Sequence, residues 1–348
     1  MKPLLSLPLL CLLFLSLLFL GGCKTVKNDI PPEQIAMKCE ARERQAAELL
    51  EAARTSEADG AWREACKHYQ TITKHFLETD AAPRAFHEWG RGLAERRQYE
   101  SAFEKFSFVA KNYVDYADYE AVIRAEFEVA CRLTEQYQRA KEKSKVLSFF
   151  KDPKAAIDCF RSVVKYSPRS ADTPKALLYI AELQFADKEP AKAIETLDRL
   201  IEDYGDWERI HEAYLFQADV YLSMVRRPEN DPQPAKRAID AYENFILLFG
   251  RRTDLTEEIE DARDRLAEAR EVYAEERLRL GDFYYLRRHY PDGAVPFYRE
   301  VRLAAPESEA AKIAEARLEA IQNEAPIPTN WADKLWGPVV YRPSEARE

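Results

Sequence analysis

The sequence is poor in glycine and lacks the motifs of the common enzyme classes. Only 10 of its 348 residues are glycine, and it contains no GxSxG, no CxxC and no glycine-rich loop that could cradle a phosphate. Its five histidines show neither HExxH nor HxxxH spacing. We therefore predict a protein that is not an enzyme, with no cofactor and no metal site.

The sequence also lacks basic character and alternating strands. It carries 61 acidic and 52 basic residues, for a net charge of −9, which argues against nucleic acid as a partner. No convincing run alternates apolar and polar residues, whereas alanine, glutamate, arginine and leucine are abundant, which favours helices. A chain of this length with helical periodicity is expected to form two domains or an elongated repeat array.

The N-terminus does hold one long apolar run, and it ends in a specific pattern. Lys2 precedes a nearly continuous apolar stretch that closes with Leu20-Gly21-Gly22-Cys23. This pattern resembles the lipobox of bacterial lipoproteins, in which the cysteine is acylated and becomes the new N-terminus. The alternatives are an uncleaved membrane anchor, since the run is nearly long enough to span a bilayer, and an ordinary secretory signal. We predict lipidation at Cys23, with Lys24 after it as in lipoproteins sorted to the outer membrane.

Four cysteines remain in the mature chain, and their spacing matches no metal pattern. An oxidising compartment permits disulfides. The residues are expected either to be small buried side chains on helices or to include a bridge such as Cys39–Cys66, and the sequence leaves both open. The four are Cys39, Cys66, Cys131 and Cys159.

A short pattern recurs along the chain: an alanine followed four residues later by a large aromatic residue or leucine. Residues i and i+4 share a helix face, so the alanine lets a neighbouring helix approach while the large residue fills the groove beside it. We call these the small–large pairs, and each predicts the second helix of a helical hairpin. They are Ala65/Tyr69, Ala102/Phe106, Ala156/Phe160, Ala193/Leu197, Ala238/Tyr242 and Ala294/Tyr298.

The spacing of the pairs predicts tetratricopeptide-like hairpins, whose period is about 34 residues. Successive alanines lie 37, 54, 37, 45 and 56 residues apart, and the longer intervals predict extended helices over 120–150 and 257–288. The segment 226–234 is predicted to be a loop. Because proline removes a helix hydrogen bond, the last second helix is expected to start near Pro296 or to be kinked there.

Three stretches resemble the tetratricopeptide lipoproteins of the BamD family. They are 60–65 (GAWREA), 231–238 with its Asp-Pro-Gln-Pro-Ala entry, and 261–308, from Asp-Ala-Arg-Asp-Arg-Leu-Ala to Ala-Pro-Glu-Ser. The resemblance implies an all-α, right-handed α-solenoid of about five to six tetratricopeptide-like helix pairs. The family usually has five repeats, whereas this chain has six predicted second helices.

The same resemblance implies a function. It predicts a lipid-anchored scaffold of the outer-membrane β-barrel assembly machinery that faces the periplasm and binds the barrel insertase, other assembly lipoproteins and segments of unfolded outer-membrane proteins. The alternative is a repeat lipoprotein that scaffolds secretin or pilus assembly, or peptidoglycan enzymes. By resemblance, Arg265 is the candidate for the insertase-docking face, and an ordinary surface arginine is the competing interpretation. The acid–base alternation over 257–279 is expected to be a solvated helix face with i,i+4 ion pairs.

Aromatic residues supply the remaining candidates. Stacked hairpins leave a groove that binds extended peptides, and Trp62, Trp89 and Tyr116 are predicted partner-binding residues there, although most aromatics should be core. The tail holds Trp331, Trp336 and Tyr341 among prolines, and is expected either to wrap on the last hairpin or to dock on a partner. The predicted divisions are a signal peptide at 1–22, a lipidated tether at 23–32, a repeat solenoid at 33–324 and an irregular tail at 325–348.

Replacing Cys23 with serine removes the thiol that takes the lipid. We expect Cys23→Ser to leave the precursor unprocessed and to abolish labelling by a radioactive fatty acid, whereas Cys39→Ser is processed and labelled normally. Radiolabelling followed by membrane fractionation measures both. Unchanged lipid labelling of Cys23→Ser would show that the lipobox prediction is wrong.

Overall fold

The structure, a computed structural model, describes residues 32–143, 152–225 and 233–328, and these residues contain helices and no strands. An all-α, tetratricopeptide-like solenoid is thus confirmed. From residue 99 onward, successive helices pack against each other in chain order, as do the helices over 32–58 and 62–75. The helices are α1 (Pro32–Ala58), α2 (Trp62–His75), α3 (Ala81–Glu95), α4 (Tyr99–Asn112), α5 (Tyr119–Lys143), α6 (Lys154–Tyr166), α7 (Thr173–Ala186), α8 (Pro190–Asp203), α9 (Ile210–Val225), α10 (Gln233–Phe249), α11 (Thr256–Asp282), α12 (Pro291–Ala304) and α13 (Glu309–Gln322).

All six small–large pairs fall on second helices, namely α2, α4, α6, α8, α10 and α12. Every residue of the six pairs is at most 2% exposed. The burial follows from the i,i+4 spacing, which places both members on the face that meets the first helix of the same hairpin. The predicted pattern therefore marks the core of each repeat.

Two glycines show how closely the helices of a hairpin approach. A Cβ atom on Gly90 of α3 would lie 2.6 Å from the ring of Phe106, and one on Gly281 of α11 would lie 2.6 Å from the ring of Tyr298. Both rings belong to small–large pairs on the facing second helix. At these two positions the aromatic ring occupies the space of the missing side chain, so glycine sets the distance between the helices.

The long helices agree with prediction, but the start of α12 does not. Helix α5 begins at Tyr119, and the predicted end at 150 lies outside the described residues. Helix α11 is followed directly by a π-helical turn over Phe283–Arg287. The expected start near Pro296 is wrong, because α12 begins at Pro291, where proline suits the first helical position. Pro296 lies in the second turn, where one backbone hydrogen bond is lost.

The described residues form two compact units, divided after Ala85 within α3. In the first unit, α1 and α2 make a hairpin in which Tyr69 donates a hydrogen bond to Glu57 at 3.0 Å, and Arg42 pairs with Glu78 just beyond α2. Cys39 is one turn before Arg42 and Cys66 is in the first turn of α2, so the two lie at opposite ends of the hairpin. The four mature cysteines are free thiols, and the Cys39–Cys66 bridge is excluded.

A buried carboxyl group interrupts the apolar packing of the second unit. Glu126 of α5 is fully buried, and its two carboxyl oxygens accept no hydrogen bond from any described residue. Burial raises its pKa to about 8, and Ser162 of α6 opposes the shift only in part. An ionised carboxylate without partners is costly in an apolar interior, so the folded protein holds Glu126 as the neutral acid at neutral pH.

This burial makes stability depend on pH. The pKa of Glu126 is higher in the folded protein than in the unfolded chain. The contribution of Glu126 to the free energy of unfolding is therefore complete below the unfolded pKa of about 4.5, and it is lost as the pH rises through about 8. We expect Glu126→Gln to match the natural protein at pH 4 and to exceed it at pH 8 by roughly 4 kcal/mol in unfolding free energy. Urea denaturation across this range measures the difference. The exposed Glu128→Gln is the control, and an equal pH dependence in both variants would contradict the assignment.

Candidate partner-binding surfaces

Arg265 lies in an ion-pair network that joins three helices. Its guanidinium contacts Asp219 of α9 at 2.6 Å and Asp261 of α11 at 2.9 Å. The hydroxyl of Tyr242 on α10 donates to the same Asp219 at 2.6 Å. Asp219 thus accepts from both a buried tyrosine and the arginine. Asp219 thus connects Tyr242, the aromatic member of a small–large pair, to Arg265, the predicted docking residue.

The network is partly open to solvent. The side chain of Arg265 is 39% exposed and that of Asp219 is 27% exposed. Burial disfavours the charged arginine, but the ion pairs with Asp219 and Asp261 outweigh it and raise the pKa of Arg265. Burial and donation to Asp219 raise the pKa of Tyr242 as well. Arg265 therefore stays charged and is held in place, and about two fifths of its side-chain surface remains available to another molecule.

The same arrangement recurs one hairpin later. Tyr298 of α12 donates to Asp282 at the end of α11 at 2.8 Å, and Arg317 of α13 approaches Asp282 at 3.5 Å. In both places a buried tyrosine of a small–large pair, an aspartate of the preceding first helix and an arginine of the following helix meet. We call these the tyrosine–aspartate–arginine triads, and they link successive hairpins across the last repeats.

The basic residues of α11 differ from the solvated face expected over 257–279. Arg270 reaches Glu243 of α10 at 2.6 Å, and Arg277 reaches Glu300 of α12 at 2.9 Å. These pairs join consecutive helices through residues 27 and 23 positions apart, whereas Arg265–Asp261 is of the i,i+4 type expected. The expectation missed the longer-range pairs because a local charge pattern does not indicate which neighbouring helix lies within reach.

A second candidate surface follows the first helices α5, α7 and α9. Phe127 and Tyr179 lie with ring centroids 6.2 Å apart, and Phe185 and Phe216 lie 5.6 Å apart in a T-shaped arrangement. We call these four residues the aromatic ladder. The ammonium group of Lys175 lies over the rings of both Phe127 and Tyr179, at 5.4 and 5.8 Å. All but Phe127 are half-buried, so the ladder offers aromatic surface beside a cation.

Sequence analysis missed the ladder, although a signal was present. Tyr179 and Phe216 each stand two residues before a fully buried alanine, Ala181 and Ala218, in consecutive first helices. An alignment of the first helices on these alanines would have placed the two aromatic rings in the same register. The small–large pattern of the second helices is stronger, so the repeat prediction rested on those helices.

The three predicted aromatic residues occupy different places. Trp62 begins α2 in the first unit and is half-buried. Trp89 of α3 and Tyr116, between α4 and α5, belong to the second unit. Lys105 lies over the Trp89 ring at 4.5 Å, and Tyr116 meets the ring of His87 edge-on at 6.2 Å. These residues are partly accessible and stay predicted partner-binding residues.

Two further features bear on the predicted anchor and on metal binding. Cys23 lies outside the described residues, so its lipidation stays a prediction. Across the described ranges, no helix is long and apolar enough to cross a bilayer. In those same residues, no group of three or more histidine, cysteine, aspartate or glutamate side chains could hold a metal ion.

The triads should contribute measurably to stability. Tyr242→Phe removes the donor to Asp219 while keeping the ring, so we expect the unfolding free energy to fall by about 1.5 to 3 kcal/mol, the cost of a lost hydrogen bond to a charged group. Tyr221→Phe on α9 is the matched control, because the Tyr221 hydroxyl donates to no described residue. Chemical denaturation measures both. Equal stability of the two variants would show that the Tyr242–Asp219 bond contributes nothing.

Comparison with known proteins identifies the family. No curated protein matches the chain. The solved structures that it resembles include a thermophilic TPR protein of Thermus thermophilus, with 16% identity over 62% of this chain and 98% of that chain and a TM-score of 0.31. The MamA protein has 17% identity over 64% of this chain and 91% of that chain and a TM-score of 0.31. The C-terminal part of a TPR repeat-containing protein of Cytophaga hutchinsonii has 14% identity over 76% of this chain and 98% of that chain and a TM-score of 0.22.

The family model described as YfiO, outer membrane lipoprotein, matches residues 131–327. This range covers more than half of the chain, from the middle of α5 to the last described residues, and includes both triads and most of the aromatic ladder. The chain belongs to the YfiO family of outer membrane lipoproteins.

Proposed function

We propose that this protein is a lipid-anchored scaffold of outer-membrane β-barrel assembly, which binds the barrel insertase and segments of unfolded barrel proteins on the periplasmic side. The observation that carries the proposal is the family match over 131–327, since it includes the hairpins that hold Arg265. The mechanism is binding alone, in which the protein holds other polypeptides close to the membrane.

The Arg265 network has the properties of a docking site for a protein partner. An arginine that two carboxylates orient before binding loses little conformational entropy when a partner arrives. Its fork of donors can reach a carboxylate or backbone carbonyl of the partner. Because Arg265 contacts α9 and α11 together, the docking surface would extend over two hairpins, which suits a folded partner such as the insertase.

The aromatic ladder suits an extended segment. Aromatic side chains carry much of the binding energy at peptide interfaces, and a row of them across α5, α7 and α9 offers several contacts to one strand of unfolded chain. Lys175 beside Phe127 and Tyr179 can pair with a carboxylate of that segment. In the same way, Trp62, Trp89 and Tyr116 are proposed as further contacts for unfolded polypeptide.

The lipid at Cys23 would complete the mechanism. Acyl chains confine the protein to the membrane surface, since each buried CH₂ contributes about 0.8 kcal/mol. Confinement raises its effective concentration near a partner that is embedded in the same membrane. A modest affinity at the Arg265 surface is then sufficient for stable assembly.

The insertase contact can be tested with a matched pair of arginines. Arg265 and Arg270 lie on the same helix, are 39% and 42% exposed, and each pairs with a carboxylate of a neighbouring helix. We expect Arg265→Ala to reduce recovery of the insertase from detergent-solubilised envelope about tenfold, a loss of about 1.4 kcal/mol, and Arg270→Ala to leave it unchanged. Quantitative mass spectrometry of the affinity-purified complex measures both.

Two further results would decide the matter. Arg265→Lys keeps the charge but not the fork, so we expect intermediate recovery, with unchanged circular dichroism as evidence of folding. Recovery of a secretin or a murein hydrolase without the insertase, from the unmodified protein, would reject barrel assembly and favour a scaffold of those systems. Recovery of the insertase in equal amount from both alanine variants would reject only the Arg265 surface.

A further inference from the structure

The two last second helices carry an exposed leucine where the other four carry a charge. Five residues after the large member of each pair stand Leu247 in α10 and Leu303 in α12, which are 79% and 83% exposed. The same position is charged in the first four hairpins, in which it is Lys74, Lys111, Lys165 and Glu202. A single exposed leucine is ordinary on a protein surface, so Leu303 is informative through the groove in which it lies.

Leu303 lies in a groove between α12 and α13. The groove has a volume of about 850 Å³ and is lined by Leu303, Pro306 and Ala316, with Arg299, Lys312 and Glu319 at its edges. Its size is in the range that holds a bulky side chain. Its edges carry charges of both signs, so it favours an apolar segment with mixed charge rather than a strongly charged one.

Earlier in the array, the second helix that follows lines the corresponding surface. Thr196 of α8 shares one space with Val164 of α6 and Ile180 of α7, and α4 packs against α6. Helix α13 takes the place of the next first helix, but residues 323–328 after it contain no second helix. A second helix after α13 would lie on a surface formed by α12 and α13. This surface is therefore available to the residues that follow 328.

The chain beyond residue 328 has the length and composition to fill this groove. Ile327 still packs on the last core cluster, and 20 residues follow Pro328, including Trp331, Trp336 and Tyr341. Helix α13 has 14 residues and is thus about 21 Å long, whereas the eight residues after Pro328, up to Trp336, span up to about 26 Å when extended. Trp336 can therefore reach Leu303 from the far end of α13.

We propose that residues 329–348 dock in the groove between α12 and α13, with Trp336 covering Leu303, so that the C-terminal segment takes the place of a seventh second helix. The segment carries Asp333, Lys334, Arg342 and Glu345, a mixture of charges that matches the edges of the groove. Docking would close the open end of the array, where stacked repeats require a cap to protect their last interface.

Trypsin provides a direct test, because Lys334 lies between Trp331 and Trp336. The full-length protein is reconstituted in vesicles of phosphatidylethanolamine and phosphatidylglycerol, and cleavage after Lys334 is followed by mass spectrometry. Since cleavage follows the population of the open form, we expect Leu303→Glu to accelerate it about tenfold. Leu247→Glu, which changes an equally exposed leucine in the same register of α10, should leave the rate unchanged.

The outcomes separate the occupants of the groove. Trp336→Ala is a second variant that leaves the helices untouched, and its cleavage should match that of Leu303→Glu. Equal rates in the natural protein, Leu303→Glu and Leu247→Glu would overturn the proposal. Protection that is lost on tenfold dilution of protein per vesicle would assign the groove to a second copy instead. Protection that appears only after addition of envelope extract would assign it to another protein, and both results would also overturn the proposal.

Discussion

The close approach of the two helices in each hairpin is the constraint on which the architecture depends. Where α3 and α11 carry Gly90 and Gly281, the rings of Phe106 and Tyr298 lie so near the backbone that a Cβ would be 2.6 Å away. In all six hairpins, the alanine of the small–large pair is at most 2% exposed. Packing at this distance leaves no room for a larger side chain at the contact. A small residue on one helix must therefore face a large residue on the other, and this requirement produces the repeated sequence pattern.

That packing determines where polar atoms must be satisfied. When the large residue is tyrosine, its hydroxyl is carried into the interior and needs an acceptor. Asp219 and Asp282 supply it for Tyr242 and Tyr298, and each carboxylate then attracts an arginine from the next helix. The same steric rule that forms a hairpin thereby positions Arg265 and Arg317. A candidate docking residue is thus held in place by core packing rather than by its own helix.

Sequence reasoning recovered the features that repeat and missed those that depend on distant partners. All six second helices follow from one i,i+4 pattern, because a local spacing fixes which face is buried. The start of α12 at Pro291 was missed because the helix was expected to start near Pro296 or to be kinked there, whereas Pro296 lies near the N-terminus of the helix, where little bonding is lost. Arg265 was identified through resemblance, but its pairing with Asp219, 46 residues away, depends on which helices become neighbours.

Glu126 illustrates the same limit in the core. Its position in α5 faces the interior, where an apolar residue would be expected, and the sequence offers no partner that predicts a buried acid. Among the described residues, Ser162 alone opposes the effect of burial on the pKa of Glu126, so the carboxyl remains neutral. The family match begins at residue 131, just beyond this site, so Glu126 lies at the junction between the matched hairpins and those that precede them. A neutral acid at this junction makes the stability of the α5–α6 hairpin sensitive to pH, whereas the ion pairs of Arg265 keep its guanidinium charged.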